Sequence, residues 1–208
     1  MRIIIILFLI QFLSIRTMAQ THIEGEYVFN RQEMVAGFKF TKEGKFDFFC
    51  SYGASDRTAT GTFIVEGKTI KLKSDKPAGK DFNVKAQSKS GTGYSIKFED
   101  ADAIFLNEIR CSFFTGGVRK DEYTDEKGIL NMDIPDCDSI FVYHPLFPDF
   151  VTCIKEEKNH NNNFVLTLNP SLAQVSFKGI DLTINDDGTL GCIHNYLIPL
   201  EDIHFEKQ

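Results

Sequence analysis

The feature that most restricts the fold is an alternation of apolar and polar residues that recurs along almost the whole chain. Tyr27 and Phe29 alternate with polar neighbours, and so do Phe46 and Phe48. A period of two places every second side chain on one face of an extended strand, and no long stretch has the 3.6-residue period of a helix. The chain is therefore predicted to be all-β, built from half-buried antiparallel strands.

Turns that contain glycine separate these strands. Glu-Gly-Lys occurs at 43–45 and again at 66–68, and Ser-Gly-Thr-Gly follows at 90–93. Glycine supplies the positive φ that tight hairpin turns require. Residues 23–98 are therefore predicted to form about seven short strands, a meander that makes a small antiparallel barrel or sandwich.

The second half of the chain is predicted to be a separate β-domain. A short polar break, Glu-Asp-Ala-Asp at 99–102, is followed by seven or so further alternating segments over about 100 residues. That number of strands is typical of an immunoglobulin-like sandwich. The predicted domains are residues 20–101 and residues 102–208, and Leu172–Phe177 is among the predicted strands of the second.

The N-terminus has the pattern of a signal peptide. A basic Arg2 precedes the apolar run Ile3–Leu13, and small residues lead up to Ala19. This run is shorter than the roughly 20 residues that span a membrane. Residues 1–19 are therefore predicted to be cleaved near Ala19, leaving an exported chain, periplasmic or extracellular, with no transmembrane segment.

Charge and cysteine content exclude some functions. Without residues 1–19 the chain has 21 basic and 29 acidic side chains. Contacts to phosphates supply most of the affinity for nucleic acid, so a nucleic-acid partner is not expected. The odd count of five cysteines leaves at least one thiol free. In an exported protein disulfides can form, and the candidate pairs are Cys137 with Cys153 and Cys111 with Cys192.

The stretch Phe49–Gly61, FCSYGASDRTATG, concentrates residues that an active site or a binding loop uses. Cys50 is a candidate nucleophile only if a histidine or a positive neighbourhood activates it, and the alternative is a small apolar residue at a strand end. Ser51–Arg57 is predicted to connect two strands at one mouth of the first domain. Tyr52, Asp56 and Arg57 are the predicted ligand-binding residues at its rim, although Asp56 and Arg57 are also suited to fixing the loop.

No catalytic residues, metal ligands or cofactor are predicted. Asn185, Asp187 and Gly188 resemble part of a calcium loop but lack the acids at its first and last positions, so a turn is expected. The 18 phenylalanines beyond residue 19 are expected to fill cores, and the alternative is an apolar cavity inside the first domain.

Two resemblances add to this interpretation. Gly25-Glu26-Tyr27 and the repeats FKFTKEGKFDFF and GTFIVEGKTIKL resemble the small lipocalin-like domains of exported bacterial proteins. TDEKGILNM (124–132) and DSIFVYHPLF (138–147) are similar to carboxypeptidase-regulatory-like domains, which have a transthyretin-like sandwich. Such domains are accessory modules, so the resemblance implies no active site.

The predicted function is a non-catalytic, exported binding or interaction module whose partner is a protein, a glycan or a small apolar ligand. The first alternative is a carrier of a hydrophobic ligand inside the N-terminal domain. The second alternative is a hydrolase.

Overall fold

The computed structural model describes residues 22–99, 102–192, 197–198 and 200–208. The predicted signal peptide and the predicted boundary at residue 101 lie outside the described residues. The described part of the chain forms sixteen strands and a 3₁₀ turn at Ala103–Phe105. The strands are β1 Gly25–Arg31, β2 Met34–Phe40, β3 Lys45–Tyr52, β4 Ser55–Glu66, β5 Thr69–Ser74, β6 Phe82–Ser88, β7 Tyr94–Glu99, β8 Arg110–Thr115, β9 Val118–Tyr123, β10 Ile129–Met132, β11 Ser139–Tyr143, β12 Thr152–Lys155, β13 Asn163–Leu168, β14 Asp181–Ile184, β15 Leu190–Gly191 and β16 His204–Lys207.

The first five strands and the last three form a closed eight-stranded antiparallel barrel, in the order β1-β16-β15-β14-β5-β4-β3-β2. The hairpins β2–β3 and β4–β5 turn at Gly44 and Gly67, whose φ angles are 73° and 62° as the Glu-Gly-Lys pattern predicted. The C-terminal strands complete the ring, since Leu182 of β14 pairs with Ile70 of β5 and Lys207 of β16 pairs with Tyr27 of β1. The all-β prediction is confirmed.

The eight strands between β5 and β14 form two four-stranded sheets, with the orders β10-β7-β13-β6 and β12-β11-β8-β9. Buried side chains of both sheets, among them Ile96, Phe164, Phe113 and Ile140, belong to one hydrophobic cluster. The two sheets therefore pack face to face as a sandwich. Within the first sheet, β7 and β13 run parallel.

Two groups of strands belong to a different part of the fold from the one that the predicted division at residue 101 gave them. β6 and β7, expected in the first domain, pair with β10 and β13 of the sandwich. β14–β16, expected in the second domain, close the barrel. The sandwich is thus inserted between two parts of the barrel, because alternation marks strands but does not specify which strand each one pairs with.

Aromatic side chains fill the barrel. Phe38 lies at their centre, with ring centroids 4.7 Å from Phe48, 5.1 Å from Phe205 and 5.5 Å from Phe177. The hollow left among these rings has a volume of about 10 Å³, at the lower limit for a single water molecule. The phenylalanines therefore form a packed core, as expected, and the hollow among these rings is too small to hold a ligand.

Two segments join the barrel to the sandwich: the outgoing link, residues 75–81, and the return link, residues 169–180. The predicted strand Leu172–Phe177 falls in the return link, which is not a strand in the structure and pairs with β4 through an isolated bridge between Gln174 and Thr58. Its side chains Val175 and Phe177 turn into the barrel core and are at most 2% exposed. In the described residues, no helix is long and apolar enough to cross a bilayer.

Candidate functional site

The stretch around Tyr52 is a tight hairpin rather than a long loop. β3 continues to Tyr52 and β4 begins at Ser55, so only Gly53 and Ala54 form the turn. Gly53 has a φ of 57°, which a side chain disfavours. The ring of Tyr52 is about half exposed at this tip.

A cleft of about 620 Å³ opens beside this hairpin, between the barrel and the sandwich. We call it the hairpin cleft. The barrel contributes one wall and the segment that follows β11 contributes the other. Its principal lining residues are Tyr52, Ser55, Arg57, Tyr143, Leu146 and Pro148. The two walls are linked directly, because the hydroxyl of Ser55 donates to the carbonyl of Leu146 at 2.8 Å.

Arg57 supports the cleft and is only 3% exposed. Its guanidinium donates to the carbonyls of Ala173 (3.0 Å), Gln174 (3.0 Å) and Pro148 (2.9 Å). It also lies over the ring of Phe147, 5.8 Å from the centroid. Three charge-assisted bonds to backbone oxygens hold the return link and the sandwich loop against β4. Arg57 therefore shapes the cleft from behind.

Asp56 is separated from the other two predicted ligand-binding residues. It is exposed, does not line the hairpin cleft, and accepts a hydrogen bond from the hydroxyl of Ser51 at 2.5 Å. Successive residues of a strand point to opposite faces, so Asp56 faces away from Arg57. The structure brings Tyr52 and Arg57 to the cleft and leaves Asp56 on the outer surface.

The sandwich wall of the cleft is a loop, residues 144–150, held by a buried imidazole. His144 is 1% exposed; its Nδ1 accepts the amide of Leu146 at 3.2 Å, and its Nε2 lies 3.0 Å from the carbonyl of Phe105. A carbonyl can only accept, so the proton is on Nε2 and the ring is neutral. Burial lowers the pKa of His144, and the charge of Arg57 acts in the same direction.

Glu33 and Tyr143 complete the polar lining, and sequence reasoning missed both. Glu33 is in the β1–β2 turn with a φ of 65°, an uncommon conformation for a residue with a side chain. Tyr143 ends β11, and the guanidinium of Arg110 lies 4.5 Å from its ring centroid. The two prolines that flank Leu146-Phe147 were a usable signal for the loop. Nothing local marked Glu33, which only the barrel topology brings here.

Cys50 lines the cleft but has the surroundings of a core residue. It is 4% exposed and belongs to the barrel cluster. Burial raises the pKa of its thiol, and the attraction of Arg57 offsets this only in part. A protonated thiol is a poor nucleophile. Among the described residues, no group of three or more His, Cys, Asp or Glu side chains is placed to hold a metal ion.

All five cysteines lie in the described residues and have free thiols. Cys111 is in the sandwich cluster and Cys192 in the barrel cluster, so the structure separates this candidate disulfide pair. Cys137 is buried at 2% exposure, whereas Cys153 is exposed and its thiol donates to the carbonyl of Lys155. Neither candidate pair is bonded.

Behind the hairpin cleft, a buried charge cluster joins the two links. The ammonium of Lys76 lies 2.5 Å from Asp81 and 2.9 Å from Asp149, and it donates to the carbonyl of Gln174 at 2.7 Å. Asp149 also accepts the hydroxyl of Ser176 at 2.6 Å. Breaking such a buried pair costs about 3–5 kcal/mol. The cluster therefore fixes the sandwich relative to the barrel.

The hairpin cleft offers tyrosine rings, an apolar Leu-Pro surface and the carboxylate of Glu33. No protein-family model, no curated protein and no solved structure matches the chain. Function is therefore inferred from the residues of the cleft themselves.

Proposed function

We propose that the protein is a non-catalytic, exported binding module and that the hairpin cleft is its ligand site. Export follows from the signal-peptide pattern of residues 1–19. The absence of catalysis agrees with the resemblance of residues 124–147 to accessory carboxypeptidase-regulatory-like domains. The observation that carries the proposal is the lining of the cleft, in which two tyrosine rings, a Leu-Pro surface and a carboxylate surround about 620 Å³, whereas the hollow among the barrel rings is about 10 Å³.

The lining of the cleft restricts its ligand. The rings of Tyr52 and Tyr143 offer flat faces, and Pro145, Leu146 and Pro148 offer apolar contacts between them. Such a surface suits a sugar ring or a short peptide with a flat apolar side chain. The carboxylate of Glu33 at the rim would accept a hydroxyl or an amine. The ligand class we propose is therefore a neutral or cationic glycan or peptide segment.

The packed barrel weighs against the hydrophobe carrier. A fatty acid needs a cavity of several hundred Å³, whereas the rings of Phe38, Phe48 and Phe177 occupy the interior of the lipocalin-like barrel. A carrier would have to unpack these rings before loading. The cleft requires no such rearrangement.

Ligand-detected and protein-detected NMR test the proposal with three probe sets: neutral oligosaccharides, short proline- and tyrosine-containing peptides, and a fatty acid. For a probe that binds, we expect amide shifts at Tyr52, Leu146 and Glu33, and Tyr52→Ala should weaken binding about tenfold. Tyr123→Ala is the matched control, because Tyr123 is comparably exposed (56%, against 47% for Tyr52) and is not among the residues that line the cleft.

Two outcomes would contradict the proposal. In the first, a probe binds with shifts at Phe38, Phe48 and Phe177, which would make the barrel the site. In the second, Tyr52→Ala and Tyr123→Ala have the same effect on affinity.

A further inference from the structure

The cluster behind the cleft places a lysine nitrogen between two buried carboxyl groups. The side chains of Lys76, Asp81 and Asp149 are 1%, 5% and 0% exposed. Lys76 and Asp81 belong to the outgoing link and Asp149 to the loop 144–150, so the chain itself brings them together. All three are shielded from bulk water.

The two carboxyl groups are held in different ways. Asp149 accepts the amide and the hydroxyl of Ser176 (3.1 and 2.6 Å) and the amide of Phe150 (2.8 Å). These bonds favour the ionised form, and they keep its pKa below the usual range even though burial acts against them.

Asp81 has the opposite environment. Its Oδ1 receives no hydrogen bond from the described residues, although the Lys76 nitrogen is only 2.5 Å away. The contact is therefore close but not aligned as a hydrogen bond. Burial raises the pKa of this carboxyl, more than Lys76 lowers it. Asp81 is thus the carboxyl that more readily becomes neutral, and a neutral carboxyl is the better acyl acceptor.

We propose that Lys76 and Asp81 condense into an intramolecular amide (isopeptide) bond between Nζ and Cγ, with Asp149 carrying the proton. The geometry that points to this reaction is an amine held in contact with a misaligned carboxyl while a second, fixed carboxylate touches the same nitrogen. Reacting groups held in contact in a dry site gain several powers of ten in effective concentration.

The reaction balances without any other reactant. One proton of the Lys76 ammonium moves to the Asp81 carboxylate, which leaves a neutral amine beside a neutral acid. The nitrogen lone pair attacks Cγ, and Asp149 takes a second proton from the nitrogen. Asp149 then returns that proton to the departing hydroxyl of Asp81. The C–O bond breaks, one water molecule leaves, and Asp149 is again a carboxylate.

Burial favours the product. An ion pair that is shielded from water carries a large desolvation cost for each ion, and the amide replaces both charges with neutral groups. The residues between the reactants form a turn at Pro77-Ala78-Gly79, and Gly79 has a φ of 69°. A side chain at Gly79 would lie 3.0 Å from the carbonyl of Val151, so the turn also packs closely on the sandwich.

Mass spectrometry of the folded full chain tests the proposal directly. We expect an intact mass lower by one water molecule than the mass calculated for the chain that is present, with residues 1–19 subtracted where they are cleaved, and no such loss when the chain is produced and kept in denaturant. Trypsin separates residues 74–80 from residues 81–85, so the bond should appear as these two peptides joined, with a combined mass also lower by one water.

Three variants sharpen this test. Lys76→Arg retains a buried cation but removes the nucleophile and should have the full mass. Lys80→Arg changes the exposed neighbouring lysine and should keep the loss. Asp81→Asn should lose one ammonia instead of one water, because its amide nitrogen is then the leaving group.

Two results would overturn the proposal. One is a folded wild-type chain with the full sequence mass after prolonged incubation at 37 °C, with folding verified by a cooperative thermal transition. The other is a bond between residues 74–80 and residues 128–155, since that would make Asp149 the acceptor. Neither result depends on what occupies the hairpin cleft, so the test is separate from that of the proposed function.

Discussion

Replacing Phe177 by alanine is expected to lower the free energy of unfolding by about 3–5 kcal/mol. Phe177 is 2% exposed, and its ring centroid lies 4.8 Å from Phe48, 5.5 Å from Phe38 and 5.7 Å from Phe46. The hollow beside it is only about 10 Å³, so the ring fills its site completely. The surrounding strands are hydrogen-bonded into a closed ring and cannot collapse onto a new cavity. This places the expected loss in the upper half of the range.

The backbone of Phe177 makes a second comparison informative. Its φ is 45°, in the left-handed region, where a side chain costs about 1–2 kcal/mol. At an ordinary interior position, glycine is less stable than alanine by roughly 0.5–1 kcal/mol. At Phe177 the order should reverse, so Phe177→Gly should be at least as stable as Phe177→Ala.

Urea unfolding followed by far-UV circular dichroism measures the free energy of unfolding of Phe177→Ala and of Phe177→Gly. Tyrosine fluorescence is a second probe, because the chain has no tryptophan. Phe49→Ala is the matched control: Phe49 is on β3 like Phe48 but faces outward and is 43% exposed, so we expect a loss below about 1.5 kcal/mol. A loss below 1.5 kcal/mol for Phe177→Ala as well would show that the return link is not part of the barrel core and would refute the reasoning.

Three further substitutions test other parts of the structure. Because burial lowers the pKa of His144, its contribution to stability should be present above the unfolded pKa of about 6.5 and lost as the pH falls below it. Hydrogen exchange of the Leu146 amide should then accelerate at low pH in the wild type but not in His144→Gln. Equal acceleration in both would exclude His144 as the group that titrates. Arg57→Lys should lower the free energy of unfolding by about 2–3 kcal/mol, because one ammonium nitrogen cannot replace the three spread guanidinium nitrogens that contact these carbonyls. A change below about 0.5 kcal/mol in urea unfolding would contradict this. Gly61→Ala should cost about 2–3 kcal/mol, since its Cβ would lie 2.1 Å from the carbonyl of Lys73, and an unchanged urea midpoint would show that β4 and β5 can separate there.

The strands of the barrel were predictable because their signal is local. Phe38 and Phe40, or Phe46 and Phe48, alternate with polar residues, and the glycines between strands supply the turns. The pairing of the last strands was not predictable, since β14 and β16 are only four residues long and pair with β5 and β1, more than 100 residues away. A short strand has too few side chains to specify one distant partner.

The residues of the candidate site were likewise predictable only where their signal is local. Tyr52 is at a hairpin tip, and a tip is exposed wherever the hairpin lies, so its exposure followed from the turn alone, whereas the cleft beside it did not. Arg57 was predicted to contact a ligand or to fix its own loop, whereas its guanidinium donates to Pro148 and Gln174, about 90 and 117 residues further on. Glu33 and the loop 144–150 become neighbours of Tyr52 only because the inserted sandwich folds back against β4.

The insertion explains why the barrel is full and why the binding surface lies beside it. The interior of an eight-stranded barrel is just large enough to be filled by side chains or to hold one small ligand. The size of the side chains that point inward decides which of these occurs. Here the chain must re-enter the barrel after the sandwich, and the return link does so with Val175 and Phe177 pointing inward. The same link provides the carbonyls of Ala173 and Gln174 that hold Arg57 and Lys76. One segment therefore fills the interior and fixes the sandwich at the angle that opens the hairpin cleft, so a variant that hollows the barrel at Phe177 should also alter the cleft.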